Sequence, residues 1–180
     1  MKYLFKKIHN FIFCLKYPFM KSRNVWTDKF MGYGHTLYDE IPVGWRKAFG
    51  KDFLEDLRKA LIKDHDLYRF RFTQIKEKYG TLRLYNNGAS ENTQLVLNRY
   101  EQYSILYCVD CGQPTEYETI GWVEYLCEDC FEKRLKDNYD EERDGPFEEY
   151  SKRLKDICRL EKEQDETDEI EIIEVEEGEE

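Results

Sequence analysis

The chain predicts an α+β fold, with helices packed on a small antiparallel hairpin, then a treble-clef-like or ribbon-like cysteine module and a disordered acidic tail. Three observations lead there. Apolar residues recur at helical spacing in several stretches, one stretch carries strand-type residues on both sides of a turn, and two C-x2-C pairs stand fifteen residues apart. This divides the chain into a basic N-terminal helix at 1–24, an α+β core at 25–107, a cysteine module with C-terminal helices at 108–163 and a tail at 164–180.

The N-terminal segment contains Lys2, Lys6, Lys7, Lys16, Lys21 and Arg23 and no acidic residue. Leu4, Ile8, Phe11, Ile12 and Leu15 recur every three or four residues, so 2–16 reads as a basic amphipathic helix ending near Pro18. Its apolar stripe needs a cover: the body of the protein or its acidic tail, or a membrane surface, which suits a helix that is aromatic on one side and basic on the other. A signal peptide fits poorly, because His9, Asn10 and Lys16 interrupt the apolar run and no A-x-A pattern follows. No stretch reaches the roughly 20 apolar residues of a membrane span.

In the body, 24–42 reads as an ordered loop carrying Trp26, Tyr33 and Tyr38, with Gly32 and Gly34 at turns. From Gly44 the pattern turns helical: Trp45, Phe49, Phe53, Leu57 and Leu61 advance in steps of four and belong to a core. A β-hairpin is expected over 68–85, with Phe70, Phe72, Ile75, Leu82 and Leu84 as its apolar content. Tyr79-Gly80 supplies its turn, and a bulge near Gln74 accounts for the broken alternation. Asn86-Asn87-Gly88 stops the strand, Ser90 caps a helix over 91–107, and a last helix over 146–163 points Tyr150, Leu154, Ile157 and Cys158 inward.

The cysteines carry the strongest chemical signal. Cys108 and Cys111, then Cys127 and Cys130, have the spacing of a four-thiolate Zn2+ site, since a two-residue gap lets a tight turn aim two sulfurs at one point. Gly112 follows the second thiol, where a knuckle needs permissive backbone. The span 116–126 is rich in Tyr, Ile, Trp and Val with a turn at Gly121, and Cys127–Cys130 opens a helix whose dipole favours thiolates. One structural zinc follows, with a redox dithiol pair and metal-free cysteines as the competing readings. Four filled positions leave none for water or substrate, so the metal argues for a binding protein and against zinc catalysis. Cys14 and Cys158 have no near partner and read as small buried apolar residues. A reducing cytoplasm suits unpaired thiols.

The segment QIKEKYGTLR at 74–83, with Pro42-Val43-Gly44-Trp45 before it and Glu101 and Ser104 after it, then C-x2-C-G-x-P and Gly121-Trp122, resembles an uncharacterised small-protein family recurrent in bacteriophage and bacterial genomes. The resemblance spans 42–130, and many relatives place His where this chain has Cys130, a residue that also binds zinc. It implies a metal site, a phage or bacterial source and hence a host-cell cytoplasm. It implies no particular activity.

The formal net charge of −10 is concentrated at one end. Twelve acidic residues and one lysine fill 161–180, leaving about +1 for the preceding 160 residues. Such a run repels itself and buries little, so disorder is expected, although Ile170, Ile172, Ile173 and Val175 form a β-prone island suited to adding a strand to a partner's sheet. Arg71, Lys76, Lys78, Tyr79, Arg83 and Tyr85 could line one side of the hairpin and serve phosphate contact and base stacking, but a nearly neutral body is no basic nucleic-acid footprint. Binding to a protein partner is the leading expectation and nucleic acid the alternative; the oligomeric state is open. His9, His35 and His65 are scattered, and Asp64-His65-Asp66 reads as a charged turn, so little points to an enzyme.

Overall fold

The computed structural model describes residues 2–24 and 26–160. Its helices and strands run α1 (Lys2–Lys16), α2 (Val43–Ala48), α3 (Gly50–Lys63), β1 (Phe72–Lys78), β2 (Thr81–Asn86), α4 (Glu91–Tyr103), β3 (Tyr117–Glu118), β4 (Tyr125–Leu126), α5 (Glu128–Asn138), α6 (Glu141–Asp144) and α7 (Phe147–Cys158). β1 pairs with β2 and β3 with β4, both antiparallel. This is an α+β arrangement of two small hairpins and seven α-helices among the described residues. The expected acidic tail at 164–180, its Ile170–Val175 island and the last residues of the helix expected over 146–163 lie outside the described residues.

The first hydrophobic cluster forms where the step-of-four stripe meets the inner face of β1–β2 and α4. Trp45, Phe49, Phe53, Leu57 and Leu61 are all buried, but the stripe folds as two helices and not one. The break falls at Phe49 (φ −136°, ψ 3°), beside Gly50. A Cβ at Gly50 would stand 2.3 Å from Tyr38 Oη, so a larger residue there would push the Tyr38 ring aside.

In the hairpin, Lys78 pairs with Thr81 across Tyr79-Gly80, and both turn residues have positive φ, 52° and 71°. That is the left-handed two-residue turn whose twist matches paired strands. Glu77 Oε1 accepts the Gly80 N–H at 2.7 Å and Thr81 Oγ1 donates to Lys78 O at 2.9 Å, which offsets the strain of placing tyrosine there. The register shift between Phe72 and Gln74 is the expected bulge, and it keeps Phe72, Ile75, Leu82 and Leu84 buried together.

Ser90 Oγ caps α4 by accepting the Thr93 N–H at 3.2 Å. The helix is shorter than the expected 91–107, giving way to a 3-10 turn at Ser104–Leu106. The reason lies in β2, whose outer edge needs hydrogen-bond partners. Ser104 Oγ accepts the Leu82 N–H at 2.9 Å and Glu101 Oε1 accepts the Leu84 N–H at 2.7 Å, so the end of α4 seals that edge.

Helix α1 docks on the body through a different face from the one its periodicity marks. Asn10, Cys14 and Tyr17 are buried, while Leu4, Ile8, Phe11, Ile12 and Leu15 stay 43% to 63% exposed. Specific polar bonds hold the docked face: Asn10 Nδ2 donates to Tyr33 O at 2.9 Å, Tyr17 Oη donates to Glu55 Oε1 at 2.6 Å, and the Lys16 ammonium pairs with Glu55. The 3-10 turn Pro18–Met20 that follows is buried in the first cluster. Residues 21–24 and 26–41 are tied by bridges from Lys21 to Thr36 and from Arg23 to Phe30 and by a capped 3-10 turn at Leu37–Glu40.

A second cluster lies under the cysteines. Tyr117 stacks on Phe131 with ring centroids 4.4 Å apart, and Leu126, Leu135, Tyr150 and Cys158 close around the pair. Helix α7 ends at Cys158, earlier than expected, because the chain then extends along β3, where the Leu160 N–H donates to Glu116 O at 2.8 Å. Ile157, expected inward, is 60% exposed. It lies at the rim of a cleft shared with Ile120 and Val123.

Candidate metal centre and flanking surfaces

Cys108 begins a knuckle. The Gly112 N–H donates to Cys108 O at 2.9 Å and the Cys108 N–H to Gln113 O at 2.7 Å, with Gly112 at φ 85°. β3 and β4 then return the chain, and Cys127 becomes the cap residue of α5, which places Cys130 in its first turn. Knuckle, hairpin and helix start thus converge on one point. The Sγ atoms of Cys108, Cys111, Cys127 and Cys130 lie within 4.8 Å of one another, with Cys111 and Cys127 3.4 Å apart. A tetrahedral Zn–S bond of about 2.3 Å requires sulfurs about 3.8 Å apart, which this spread brackets. The four cysteines are close enough to hold a metal ion.

Burial and mutual proximity set the thiol chemistry. Burial pushes the Cys127 thiol up to about 11. Burial first, and then the hydrogen bonds its own S–H donates to the neighbouring sulfurs, push Cys130 higher still. Cys111 goes the other way: burial raises it, but the Gln113 N–H and hydrogen bonds from the other three cysteines outweigh that and favour its thiolate. Several thiolates so close together repel, and a divalent cation relieves that repulsion. Cys14, outside the cluster, is buried and its thiol is raised to about 11 by desolvation. Cys158 is also buried and raised, mainly by desolvation.

The knuckle rests directly on the first cluster. The Gly44 N–H donates to Val109 O at 3.0 Å, and the buried Trp45 donates from Nε1 to Tyr107 O at 2.9 Å. Arg134 on α5 reaches back to pair with Asp110 in the knuckle, at 3.2 Å, and with Glu124 just before β4. Spacing alone did not reveal this clamp. Its sequence trace is the Pro42-Val43-Gly44-Trp45 motif, whose glycine and tryptophan both serve the knuckle.

Of the hairpin residues, Lys76 stands opposite Arg83 and Gln74 opposite Tyr85. The alternation that buries Ile75, Leu82 and Leu84 turns Lys76, Lys78, Arg83 and Tyr85 to the other face. The Lys76 ammonium lies 5.3 Å from the centre of the Tyr85 ring and that of Lys78 5.2 Å from the Tyr79 ring. Lys78, Tyr79, Arg83 and Tyr85 border a shallow groove that Glu101 also enters. Arg71 stands apart at the foot of β1, bonded to Phe70 O at 2.7 Å, and burial lowers its guanidinium from the usual value.

The histidines do not gather. His35 pairs with Glu40 at 2.6 Å and Asp39 at 3.4 Å on the surface, His9 is exposed on α1, and His65 is exposed in the turn after α3. Asp64 accepts from Asn92 Nδ2 at 3.0 Å, Thr93 Oγ1 at 2.9 Å and the Ser90 hydroxyl, so it ties the end of α3 to the start of α4. No family model, no curated protein and no solved structure matches the chain. No described helix is long and apolar enough to cross a membrane.

Proposed function

We propose that this protein is a non-enzymatic zinc-binding interaction module of the cytoplasm that docks on a protein partner. The convergence of four sulfurs within 4.8 Å carries the reading. Zinc is the ion that four thiolates at tetrahedral spacing suit best, and a shell of four thiolates leaves no position for a substrate. The knuckle, hairpin and ligand-bearing helix follow the order of a treble-clef module. The resemblance over 42–130 supports a phage or bacterial source, and a partner of host or phage origin.

The docking surface we favour is beside the metal centre. Ile120 and Trp122, 63% and 72% exposed, stand at a 220 Å³ cavity whose walls include Phe131, Leu135, Tyr150 and Leu154. An exposed tryptophan at the mouth of an apolar cavity is the kind of anchor that dominates protein interfaces. Arg134 and Glu124 supply its polar side. The test is affinity capture from the host with nuclease treatment and moderate salt, comparing the parent with an Ile120→Asp, Trp122→Ala variant. A partner retained by the parent and lost by the variant is expected. Recovery that is unchanged in the variant ends the docking assignment.

A second reading has its own observation. The shared outer face of Lys76, Lys78, Arg83 and Tyr85 supports nucleic-acid binding, with phosphates neutralised by the cations and a base stacked on a tyrosine. Glu101, which enters the same groove, opposes it. Captured material that disappears on nuclease treatment favours this second reading.

A further inference from the structure

Helix α1 buries the wrong side for its sequence, and the unburied side has the chemistry of a lipid-binding helix. At about 100° per residue, Leu4, Phe5, Ile8, Phe11, Ile12 and Leu15 share one arc of α1, and all are exposed. Lys7 and Lys16 flank that arc on its two sides, both exposed, Lys7 at the free edge and Lys16 where its ammonium also pairs with Glu55. The docked side is occupied by Asn10, Cys14 and Tyr17, so the helix cannot roll to bury its stripe without breaking the bonds from Asn10 to Tyr33 and from Tyr17 to Glu55.

The apolar surface continues beyond the helix. Phe11 meets Tyr33 edge to face at 5.2 Å, and Tyr33 meets Phe30 at 4.8 Å. Phe30 leads to the neighbouring turn, where Met31 is 66% and Trp26 93% exposed. Tryptophan at a protein's edge suits the headgroup level of a bilayer, where an amphipathic ring has both an apolar and a wet side.

We infer that this face seats the protein on an anionic lipid surface, α1 lying in the plane of the interface with its apolar arc among the acyl chains and its lysines among the headgroups. Charge selects the occupant. The first acidic residue of the chain is Asp28, and six lysines and arginines precede it. A second copy docked on the same face would bring two lysine rims together, whereas anionic headgroups neutralise them. The inference goes beyond the proposed function and needs neither the metal nor the protein partner.

The experiment uses the full chain and vesicles of phosphatidylcholine, alone or mixed with phosphatidylglycerol. Sedimentation with the anionic vesicles is expected, roughly tenfold stronger than with phosphatidylcholine alone and weakening with salt. In a Trp122→Phe background, Trp26 is the exposed fluorophore, because Trp45 is fully buried. Its emission is expected to shift to the blue on vesicle addition. Ile8→Asp with Ile12→Asp should abolish binding at an unchanged melting temperature, since both side chains already face solvent. Lys7→Glu provides a second test that leaves the apolar arc intact and should also lose anionic selectivity. Failure of the parent to bind anionic vesicles, or equal binding by both variants, overturns the inference. So does a parent dimer that the Ile8/Ile12 variant dissociates, because the occupant is then a second copy.

Discussion

Gly44 and Gly112 meet backbone to backbone. A Cβ on Gly44 would lie 2.1 Å from Cys108 O, and one on Gly112 would lie 2.5 Å from Gly44 O. The start of α2 and the cysteine knuckle therefore fit only as two bare backbones, and this contact joins the two hydrophobic clusters. Gly44→Ala is expected to destabilise the protein, as overpacking of a fixed contact costs about 1–3 kcal/mol. Gly112→Ala adds left-handed strain to the clash. Gly121→Ala is the control, because Gly121 also has positive φ, 83°, but nothing within 4 Å of its would-be Cβ. Thermal unfolding should rank Gly112→Ala well below Gly121→Ala; equal losses would mean that the knuckle yields.

One zinc per chain is the next expected outcome, measured by elemental analysis of protein purified without chelator. Folding support from structural zinc sites in small modules reaches about 10–16 kcal/mol, so Cys108→Ser or Cys127→Ser should expose 108–135 to protease before the rest of the chain. The pH dependence has a definite sign. Metal binding must expel thiol protons, and burial raises Cys127 and Cys130 so that they hold those protons tightly. Lowering the pH therefore favours protonation and release of zinc, which a chromogenic chelator can follow. Release that does not depend on pH would argue against thiolate ligation.

Much of this was legible from residue order, and what was not has a common cause. The stripe from Trp45 to Leu61 and the turn at Tyr79-Gly80 rest on local rules, period and turn chemistry, and both came through. So did the convergence of Cys108, Cys111, Cys127 and Cys130, because a two-residue gap constrains geometry locally. The face on which α1 docks did not. Periodicity weighs apolar side chains, but Asn10 and Tyr17 are placed by partners 23 and 38 residues away. The early ends of α4 and α7 have the same origin, since β2 and β3 required hydrogen bonds that Ser104 and Leu160 supply. Ile157 then fell outside the core that helical spacing had assigned to it.

Alkaline stability is expected to depend on Tyr100. Its ring is buried and its hydroxyl donates to Asp56 Oδ2 at 2.7 Å. Burial first, then the hydrogen bond to Asp56, hold the phenol far above its ordinary value. An unfolded tyrosine ionises near about 10, so this group's stabilisation is complete below that pH and is lost as the pH rises toward the folded value. Tyr100→Phe should cost about 1–3 kcal/mol near neutrality, as expected for leaving a hydrogen-bonding partner unsatisfied. It should also flatten the fall of the melting temperature above pH ~10. A parallel fall in parent and variant would show that other tyrosines govern the alkaline limb.

The outer face of the hairpin separates the two binding readings. Lys76 and Arg83 stand directly opposite each other, and like charges in that position oppose pairing unless something neutralises them. A phosphate backbone would do so. If it does, affinity for a single-stranded oligonucleotide should fall steeply with salt, and Lys76→Gln with Arg83→Gln should weaken all sequences alike and reduce the salt slope by about 1–2. The same pair should leave stability unchanged or raise it slightly, because the repulsion is removed. Capture of a protein partner through the Ile120 and Trp122 surface should be indifferent to these two substitutions. If they abolish protein capture while oligonucleotide affinity is absent throughout, the hairpin is the protein-docking face and the cavity beside Trp122 is not.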